Sequence, residues 1–445
     1  MRQMILVGFL QAQNCSNFAG SWRHPDSRLD FTSPEFFAHI GRVLEAGKFQ
    51  LAFFDDRLGM PEFHGGRFAE AVANGIRSVK MDPIACMMPI VAATERLGLG
   101  STYSVTYYQP YHIARLFQTL DLMTKGRAAW NVVTSMNDIE AQNMGLTHAP
   151  PHDTRYDRAD EFMEVVHGHW DSWADDALIV DRESGRFADP DKVRRLDHKG
   201  EHYASRGPFT VPRSAQGHPV VIQAGQSGRG KRFASQWGEV IFTSTTEVED
   251  AAVSYAEIKA GAQAAGRNPD HVKVAALCHP VVAPTRAEAE DKFELIERLP
   301  LEVDSLLLLS EAINFDFGAK PIDEPFTDAE LASMSGTQSA RDHVVKVMGD
   351  KKPTPRDFIN ITRRGKLTQP WVGSPKEVAD IFEEWFTKPA ADGFVIGAPC
   401  VPGSYEDFVE LVVPELQRRG LFHKDYEGPT LRENLGLPRP VSSPR

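Results

Sequence analysis

Cysteine is scarce in this chain of 445 residues, and the four cysteines are widely spaced. They are Cys15, Cys86, Cys278 and Cys400. Because no CxxC pair occurs, neither a zinc knuckle nor a disulfide framework is indicated, and reduced thiols in a cytoplasmic protein are the simplest interpretation. His167 and His169 stand two residues apart on a predicted helix, which points their rings away from each other. We therefore expect no metal site.

Long apolar runs and an excess of positive charge are also missing. The first apolar run, residues 4–10, has the length of a buried strand and resembles a signal sequence only weakly. No stretch approaches the ~18 apolar residues of a membrane span. Lys and Arg number 49 against 61 Asp and Glu, which gives a net charge of −12. These features argue against a membrane protein and against a general nucleic-acid binder, which needs a basic face.

What the chain does have is an alternation of strand-like and helical patterns. Strands are expected at 4–10, 51–54, 98–104, 128–133, 219–224, 240–243, 272–283 and 393–397. Helices are expected at 34–45, 84–97, 110–123, 156–173, from about 229, and at 248–265, 286–299 and 405–418. Eight β-then-α units, with strands that are apolar on both faces, predict an α/β fold of the (β/α)8 TIM-barrel type.

Four segments are too long to be ordinary connections between these units. We predict a single domain over residues 1–424 with insertions at 60–81, 137–155, 175–218 and 300–370. On a barrel such insertions would form lids over the C-terminal face, where active sites lie. The proline-rich tail, 425–445, is expected to wrap around the surface or a partner subunit.

The segment 223–231, Gln-Ala-Gly-Gln-Ser-Gly-Arg-Gly-Lys, follows a predicted strand and opens a helix. Its glycines let backbone N–H groups turn toward one point, the helix N-terminus adds positive potential, and Ser227 can donate a hydrogen bond. The pattern is neither a Walker loop nor a GxGxxG fingerprint. It is not a nucleophile elbow either, because Arg229 stands where that motif needs glycine. A phosphate cradle and an ordinary glycine-rich turn remain about equally open.

Other polar residues are expected at the barrel mouth. Asn131 lies in a strand that becomes polar toward its end, and its amide suits the edge of a heteroaromatic ring, although a satisfied core Asn is an equal alternative. His152 and Tyr156 stand just ahead of a helix, where anions bind, and the alternative there is a structural capping network. Asp55 and Asp56 resemble paired carboxylates, but adjacent strand residues face opposite sides, so only Asp56 is retained as functional.

Several motifs in a fixed order carry a resemblance. They are Trp130–Ser135, Asn143–Gly145, Tyr156–Glu161, Gln223–Gly230, Ala391–Phe394 and Val412–Leu416. With them the chain resembles, over nearly its whole length, the bacterial-luciferase-like flavin-dependent monooxygenases. The branch is that of nitrilotriacetate, long-chain alkane and dibenzothiophene sulfone monooxygenases, and the phrases at 107–112, 207–214 and 402–405 are most similar to the last.

The resemblance implies a TIM barrel with FMN at its C-terminal mouth, O2 as co-substrate, and a separate NAD(P)H:flavin reductase that supplies reduced FMN (FMNH2). The matching positions around the isoalloxazine are Asp56, Ser104 and Asn131. Those around the ribityl chain and phosphate are His152, Tyr156 and Ser227, with Gly228 and Arg229 assisting through backbone N–H groups. A homodimer or homotetramer is expected on the same basis.

The chain departs from the family pattern at substrate positions. Gln13 and Ser16 replace a cysteine and a histidine of the alkane-enzyme pattern, and Met136 replaces a histidine. A methionine beside Phe9 favours an apolar, soft-walled pocket and a neutral aromatic, heteroaromatic or sulfone-type substrate. The expected pocket residues are Phe9, Gln13, Cys15, Phe63 and Met136.

No catalytic residue is assigned from the sequence. Residues 60–81 are the candidate lid, from which His64 and Arg77 could reach the substrate, as could Met136, while solvated loop residues are the alternative. Two other functions stay open: a barrel hydrolase acting on a phosphorylated or glycosidic substrate, and a non-catalytic flavin-binding relative. The feature that separates a flavin enzyme from a hydrolase is the joint match of Asn131, His152, Tyr156 and Ser227.

Overall fold

Eight parallel strands close into a barrel in the computed structural model, which describes residues 2–16, 18–225 and 228–442. The strands are β1 (Ile5–Gln11), β2 (Leu51–Asp55), β3 (Gly98–Ser104), β4 (Ala128–Val133), β5 (Val220–Gln223), β6 (Val240–Thr243), β7 (Lys273–Val282) and β8 (Gly393–Gly397). Each pairs in parallel with its neighbours, and β8 closes the ring between β7 and β1. The predicted (β/α)8 TIM barrel is confirmed, with strand bounds within about two residues of those expected.

The helices lie around this barrel and in the insertions. They are α1 (Pro34–Ala46), α2 (Ala69–Asn74), α3 (Pro83–Ala93), α4 (Pro110–Met123), α5 (Asp138–Asn143), α6 (His152–Trp170), α7 (Gly228–Trp237), α8 (Val248–Ala264), α9 (Arg286–Arg298), α10 (Glu302–Ile313), α11 (Asp328–Ser333), α12 (Gln338–Met348), α13 (Pro355–Thr362), α14 (Pro375–Thr387), α15 (Gly403–Asp407), α16 (Val413–Arg418) and α17 (Leu431–Asn434). A π-helical turn, Phe408–Val412, joins α15 to α16. The helix predicted at 405–418 is therefore interrupted.

Helix α6 begins earlier than the sequence pattern indicated. Pro151 holds the N-cap position, so helical geometry starts at His152 and ends at Trp170. Proline lacks a backbone N–H. It is tolerated at the start of a helix because an N–H group at that position has no partner within the helix. His152 is thus the first residue of the helix and does not precede it.

Side chains alternate along each strand between the barrel interior and the surrounding helices. The interior cluster includes Val7, Phe53, Ala129 and Val240, whereas the outward residues pack against the helices. At Gly8, on the outward face, a Cβ would stand 2.7 Å from Leu44 of α1, so glycine allows the helix to approach closely. The interior is filled by side chains, so ligands have room only at its rim.

Strand β7 extends beyond the barrel and carries a ninth strand. Its first half pairs with β6 and β8, and its second half pairs with Pro370–Gly373, with His279 opposite Pro370. Neither this strand nor α14, which follows it, is among the elements expected from the sequence. The chain therefore makes an added strand–helix unit between β7 and β8.

Two insertions pack against each other above the C-terminal ends of the strands. Residues 300–370 form α10 to α13 around their own apolar cluster, which includes Leu309, Phe317 and Phe358. Leu308 of α10 packs with Ile76 of the 60–81 insertion. The segment 175–218 forms two short hairpins. The polar stretch expected at 300–370 is thus a helical layer that supports the candidate lid.

The C-terminal tail closes the opposite end of the barrel. Leu431, Leu435 and Leu437 belong to the interior cluster, and the backbone N–H of Leu431 donates to the Gly126 carbonyl at 2.9 Å. Arg432 is ion-paired with Glu239, directly before β6. Residues 431–437 therefore seal the floor of the barrel.

Replacing Leu431 by alanine should destabilise the protein by about 2 to 5 kcal/mol, because the side chain is fully buried and leaves a cavity in the floor. Urea unfolding followed by circular dichroism measures the change. Leu29→Ala is the control, since Leu29 is 65% exposed and should cost less than about 0.5 kcal/mol. Equal stability of the two variants would contradict a tail that closes the core.

Candidate functional site

Polar side chains meet where β3 and β4 reach the mouth of the barrel. The strands pair with Thr102 opposite Asn131, so these two side chains lie side by side on the interior face. Asn131 Nδ2 donates to Thr102 Oγ1 at 2.8 Å, and Thr102 Oγ1 donates to the Phe54 carbonyl at 3.0 Å. Within the described residues, the buried Asn131 Oδ1 has no hydrogen-bond partner. A buried unpaired acceptor costs about 1 to 3 kcal/mol, so this oxygen suits a ligand with an N–H donor.

Ser104, the last residue of β3, is buried on the same side as Thr102. Its Oγ accepts a hydrogen bond from the Thr106 backbone N–H at 3.2 Å. The side chain is thus held at the rim, next to the Thr102–Asn131 pair.

The two aspartates at the end of β2 have different surroundings. Asp55 lies on the interior face with Phe53 and accepts a hydrogen bond from Lys80 Nζ at 2.5 Å. Asp56 follows the strand, and its Oδ1 accepts from the Arg57 backbone N–H at 2.8 Å. Burial raises the pKa of Asp56 to about 7, although the positive charge of Lys80 opposes this shift. Asp56 is therefore divided between its neutral and charged forms near neutral pH.

Asp56 also lines a cavity of about 370 Å³ at the C-terminal side of β2. The polar groups around this cavity include Arg57, Arg77, Ser78, Lys80, Asp82 and Asn143. Such a volume is sufficient for a small ligand or part of a larger one.

Helices α6 and α7 begin side by side at the same rim. Arg229 Nη2 lies 3.1 Å from Asp157 Oδ1 and also binds Asp160, while the Tyr156 ring contacts Phe233 edge-on at 5.7 Å. Among the described residues, a Cβ placed on Gly228 would meet no atom within 4 Å. The positive potential of two neighbouring helix N-termini favours an anion in this space.

The predicted phosphate-binding residues are partly brought together here. His152, Gly228 and Arg229 belong to the first turns of α6 and α7, and Tyr156 follows in the second turn of α6. His152 Nδ1 lies 2.8 Å from Asp153 Oδ1, and the His152 ring lies 5.1 Å from that of Tyr156. The Arg229 side chain is held by acidic residues of α6, so only its backbone is available to an anion. Ser227 lies outside the described residues.

Three of the five predicted substrate residues line one narrow, mainly apolar pocket. Phe9, Gln13 and Cys15 share it with side chains of α1, among others. Burial raises the pKa of the Cys15 thiol to about 11, so the group is neutral and does not act as a nucleophile at neutral pH. Neither Phe63 nor Met136 lines this pocket, and Met136 is 53% exposed.

The lid candidates are held by the helical layer above them. The His64 ring lies against Gly318, and the Gly65 backbone N–H donates to Asp316 Oδ1 at 2.8 Å. Arg77 Nη1 donates to Glu311 Oε2 of α10 at 2.9 Å. Of His64, Arg77 and Met136, only Arg77 lines the cavity beside Asp56. Their proximity to a substrate stays a prediction.

Some site residues had a sequence signal and some did not. Thr102 could have been identified, because strand alternation places it on the face of Asn131 when β3 and β4 pair. Glu311 reaches the region from the distant 300–370 insertion, where it binds Arg57 and Arg77, and nothing local in the sequence marks it. In the described part of the chain no group of three or more metal-binding side chains occurs, and no helix has the length and apolar character of a membrane crossing.

The chain is similar in sequence and in fold to known proteins. The profile of a family described as luciferase-like monooxygenase matches residues 15–392. A dibenzothiophene-sulfone monooxygenase of Rhodococcus erythropolis is 41% identical, covering 98% of this chain and 97% of the relative. Nitrilotriacetate monooxygenase component A of Aminobacter aminovorans is 38% identical, covering 95% and 94%. A riboflavin lyase solved with modified FMN and riboflavin has a TM-score of 0.88 and 33% identity, covering 99% and 97%.

Replacing Asp56 by asparagine should remove a pH-dependent loss in the free energy of unfolding. The folded-state pKa of about 7 lies above the ordinary value of 3.8, so ionisation of Asp56 lowers the stability of the wild-type protein as pH rises from about 4 to 7. We expect the variant to gain on the order of 1 to 2 kcal/mol over wild type at pH 8 and less at pH 5. Urea unfolding at both pH values tests this.

Asp26→Asn is the matched control, because the Asp26 side chain is 81% exposed. This control should leave the difference in the free energy of unfolding between pH 5 and pH 8 as it is in wild type. A gain for Asp56→Asn that is the same at pH 5 and pH 8 would rule out ionisation of Asp56 as its cause.

Proposed function

The chain belongs to the luciferase-like monooxygenase family and is a flavin-dependent monooxygenase, and from this premise we propose that its flavin is FMN. Reduced FMN comes from a separate NAD(P)H:flavin reductase, and the enzyme uses O2 to oxygenate a small apolar aromatic, heteroaromatic or sulfone-type substrate in the cytoplasm. The naming of one relative as component A supports a two-component system. The modified FMN in the riboflavin lyase supports the choice of flavin.

The observation that carries this proposal is the buried, unpaired Oδ1 of Asn131 at the barrel mouth. An isoalloxazine ring carries N–H groups at its edge, and such a donor would satisfy this acceptor. The open space beside Gly228 lies at the same rim and suits the phosphate of the same molecule. A barrel hydrolase has no need for both features together.

When bound, reduced FMN supplies the electrons that activate O2 for transfer of one oxygen atom to the substrate. The chain positions the ring through Asn131, with Thr102 holding the Asn131 amide. Below the mouth, Phe53 lies 5.5 Å from Phe9 and 4.9 Å from Phe242, measured between ring centroids. This aromatic layer excludes water from below. Asp56 can hold or release a proton near neutral pH, as a general acid or base requires.

The substrate class rests on the mainly apolar side chains around Phe9 and Cys15, which enclose only about 20 Å³ in this structure and would have to separate to admit a substrate. Gln13 Nε2 donates to the Ser16 carbonyl at 3.2 Å, so it is engaged within the protein and adds little charge selectivity. The relative named for a sulfone is consistent with such a pocket. We propose Met136 and Phe63 as further substrate contacts that approach when the lid moves.

A homodimer or homotetramer completes the proposal. The hairpin at 178–188 exposes Val180 by 56% and Phe187 by 66%, together with Leu178 and Ile179. Exposed apolar patches of this kind are typical of protein contacts. A second copy of the chain is the partner we propose.

Replacing Gly228 by alanine should weaken FMN binding about tenfold or more, because the methyl group enters the space proposed for the phosphate. The fold should tolerate the change, since no described atom lies within 4 Å of the new Cβ. Anaerobic fluorescence titration with reduced FMN and with reduced riboflavin measures both affinities. Riboflavin is the control, because it lacks the phosphate and should bind the variant as it binds wild type.

Two outcomes would count against the FMN proposal. Equal losses for riboflavin and FMN would place the phosphate elsewhere. Failure of every flavin form to bind wild type below the millimolar range would reject the flavin site itself.

A turnover assay with a flavin reductase, NADH and O2 tests the substrate class. We expect oxygenation of dibenzothiophene sulfone and no oxygenation of nitrilotriacetate, since the pocket around Phe9 is mainly apolar. Product analysis by mass spectrometry with ¹⁸O2 measures the incorporated oxygen atom. Turnover of nitrilotriacetate without any aromatic substrate would overturn the substrate assignment. Release of all the oxygen as peroxide would favour the non-catalytic alternative.

A further inference from the structure

Four polar residues form one continuous row across the wall of the barrel mouth. The parallel register pairs Gln11 of β1 with Asp55 of β2, and Thr102 of β3 with Asn131 of β4. The register of β2 with β3, continued by one residue, places Asp55 beside Thr102. Because register partners in a parallel sheet project to the same face, all four side chains point to the interior side of the wall.

Gln11 is the member of this row that the site described above does not use. It is the last residue of β1 and is 8% exposed. Phe9, two residues earlier, stacks on Phe53 inside the barrel, so strand alternation directs the Gln11 side chain to the same face. Among the residues that the structure describes, the buried Gln11 Nε2 has no hydrogen-bond partner. The protein thus leaves one buried N–H donor unused, which is unfavourable unless a ligand accepts from it.

The other glutamine at this strand end is engaged within the protein. Gln13 Nε2 donates to the Ser16 carbonyl at 3.2 Å and lies 3.4 Å from Cys15 Sγ. The strand end itself is held in place, because the Ala12 carbonyl accepts from the Met81 backbone N–H at 2.7 Å. Gln11 is therefore a free amide on a fixed backbone, which is the arrangement that a binding residue requires.

The neighbours of Gln11 indicate which acceptor it suits. Asp55, next to it in the row, is bound to Lys80 Nζ at 2.5 Å. The row itself contains no cation, and an anion beside Gln11 would lie next to the Asp55 carboxylate. An amide N–H is an uncharged donor. A neutral oxygen therefore suits this position better than a carboxylate or a phosphate does.

Gln11 lies on the substrate side of the mouth. Three strand spacings separate it from Asn131, which is about 14 Å along the wall. It also lines the narrow pocket around Phe9 and Cys15, whose volume of about 20 Å³ is enough for one group of the size of a water molecule. Asn131 is thus available to the proposed cofactor, and Gln11 to a second molecule that places one small polar group in this pocket.

We propose that Gln11 is a specificity-determining residue, whose side-chain amide donates a hydrogen bond to a neutral oxygen of the substrate such as a sulfonyl oxygen. The oxygen occupies the small space that Gln11 lines, and the apolar body of the substrate packs against Phe9. A molecule of the same skeleton without that oxygen leaves the donor unpaired and binds more weakly. The inference rests on the proposed function, because it assigns the acceptor to the monooxygenase substrate.

The test compares methyl phenyl sulfone with thioanisole, which has the same carbon skeleton and lacks the two oxygens. Isothermal titration of the full-length protein without flavin measures both affinities. Gln11→Met is the decisive variant, because methionine has a similar size and no N–H donor. We expect the ratio of sulfone affinity to thioether affinity to fall about tenfold in this variant, with the affinity for thioanisole within about twofold of wild type.

Urea unfolding without ligand separates this role from a structural one. The Gln11 amide makes no hydrogen bond among the described residues, so Gln11→Met should unfold at a urea concentration no lower than wild type does. A lower midpoint would indicate a structural hydrogen bond and contradict the proposal. Gln236→Met is the matched control, since Gln236 is exposed on α7 and lines a cavity near Arg432 at the floor. It should keep the wild-type affinity ratio.

Gln11→Asn keeps the amide on a shorter side chain, so we expect an intermediate ratio; this variant decides the matter if Gln11→Met does not fold. The proposal is rejected if wild type binds neither probe, or if the ratio stays within twofold of wild type in both Gln11 variants. The flavin titration is independent of this experiment. Loss of flavin binding with a Gln11-dependent ratio would reject the cofactor and keep the role of Gln11. Flavin binding with a ratio that does not depend on Gln11 would do the reverse.

Discussion

Closure of the parallel barrel is the constraint on which the rest of this structure depends. The backbone ladders of β7, β8 and β1 complete the ring, and this brings the carboxyl ends of all eight strands to one rim. The pairing of β4 with β5 then makes α6 and α7 neighbours, because α6 belongs to the unit of β4 and α7 to that of β5. Two helix N-termini and the Thr102–Asn131 pair thereby share one end of the barrel. The helix N-termini and the Thr102–Asn131 pair would not form a site without each other.

Desolvation gives this rim its chemical character. Asn131 and Asp56 have different side chains, yet each is largely removed from water and incompletely compensated within the protein. Burial disfavours the charged form of Asp56 and leaves an acceptor of Asn131 unused. A site that holds several such groups is stabilised by its ligands. We infer that the bound cofactor and substrate provide some of the hydrogen bonds that these buried groups lack in the folded protein.

Much of the fold could be predicted from the sequence, because strand and helix periodicity are local properties. The apolar runs at 98–104 and 128–133 match their strands, since each is bounded by clear turn residues. The strand Pro370–Gly373 was missed because it is short and pairs only with the overhanging end of β7. Helices α10 to α13 were not predicted because their apolar residues are spread through a largely polar stretch. In the structure these residues pack into an apolar cluster of their own, separate from the barrel.

The candidate site was predictable only where it is built from strand ends. Asn131 and Asp56 follow from position on a strand, and the glycine-rich turn follows from composition. The ion pairs of Glu311 with Arg57 and Arg77 were not predictable, because Glu311 lies more than two hundred residues from both arginines and only the packing of distant segments brings them together. His64 and Met136 were predicted from loop positions, and neither lines the cavity beside Asp56. A position in a loop does not determine where the side chain lies.

Glu311 ties the 60–81 insertion to the barrel at the rim. Its carboxylate binds Arg57, which follows β2, and Arg77 of the insertion at the same time. Both arginines line the cavity beside Asp56, so one buried carboxylate of α10 fixes two side chains of this cavity. Charge-assisted hydrogen bonds of this kind hold guanidinium groups in defined positions. This part of the site is therefore positioned by contacts within the protein, in contrast to Asn131, whose acceptor is left for a ligand.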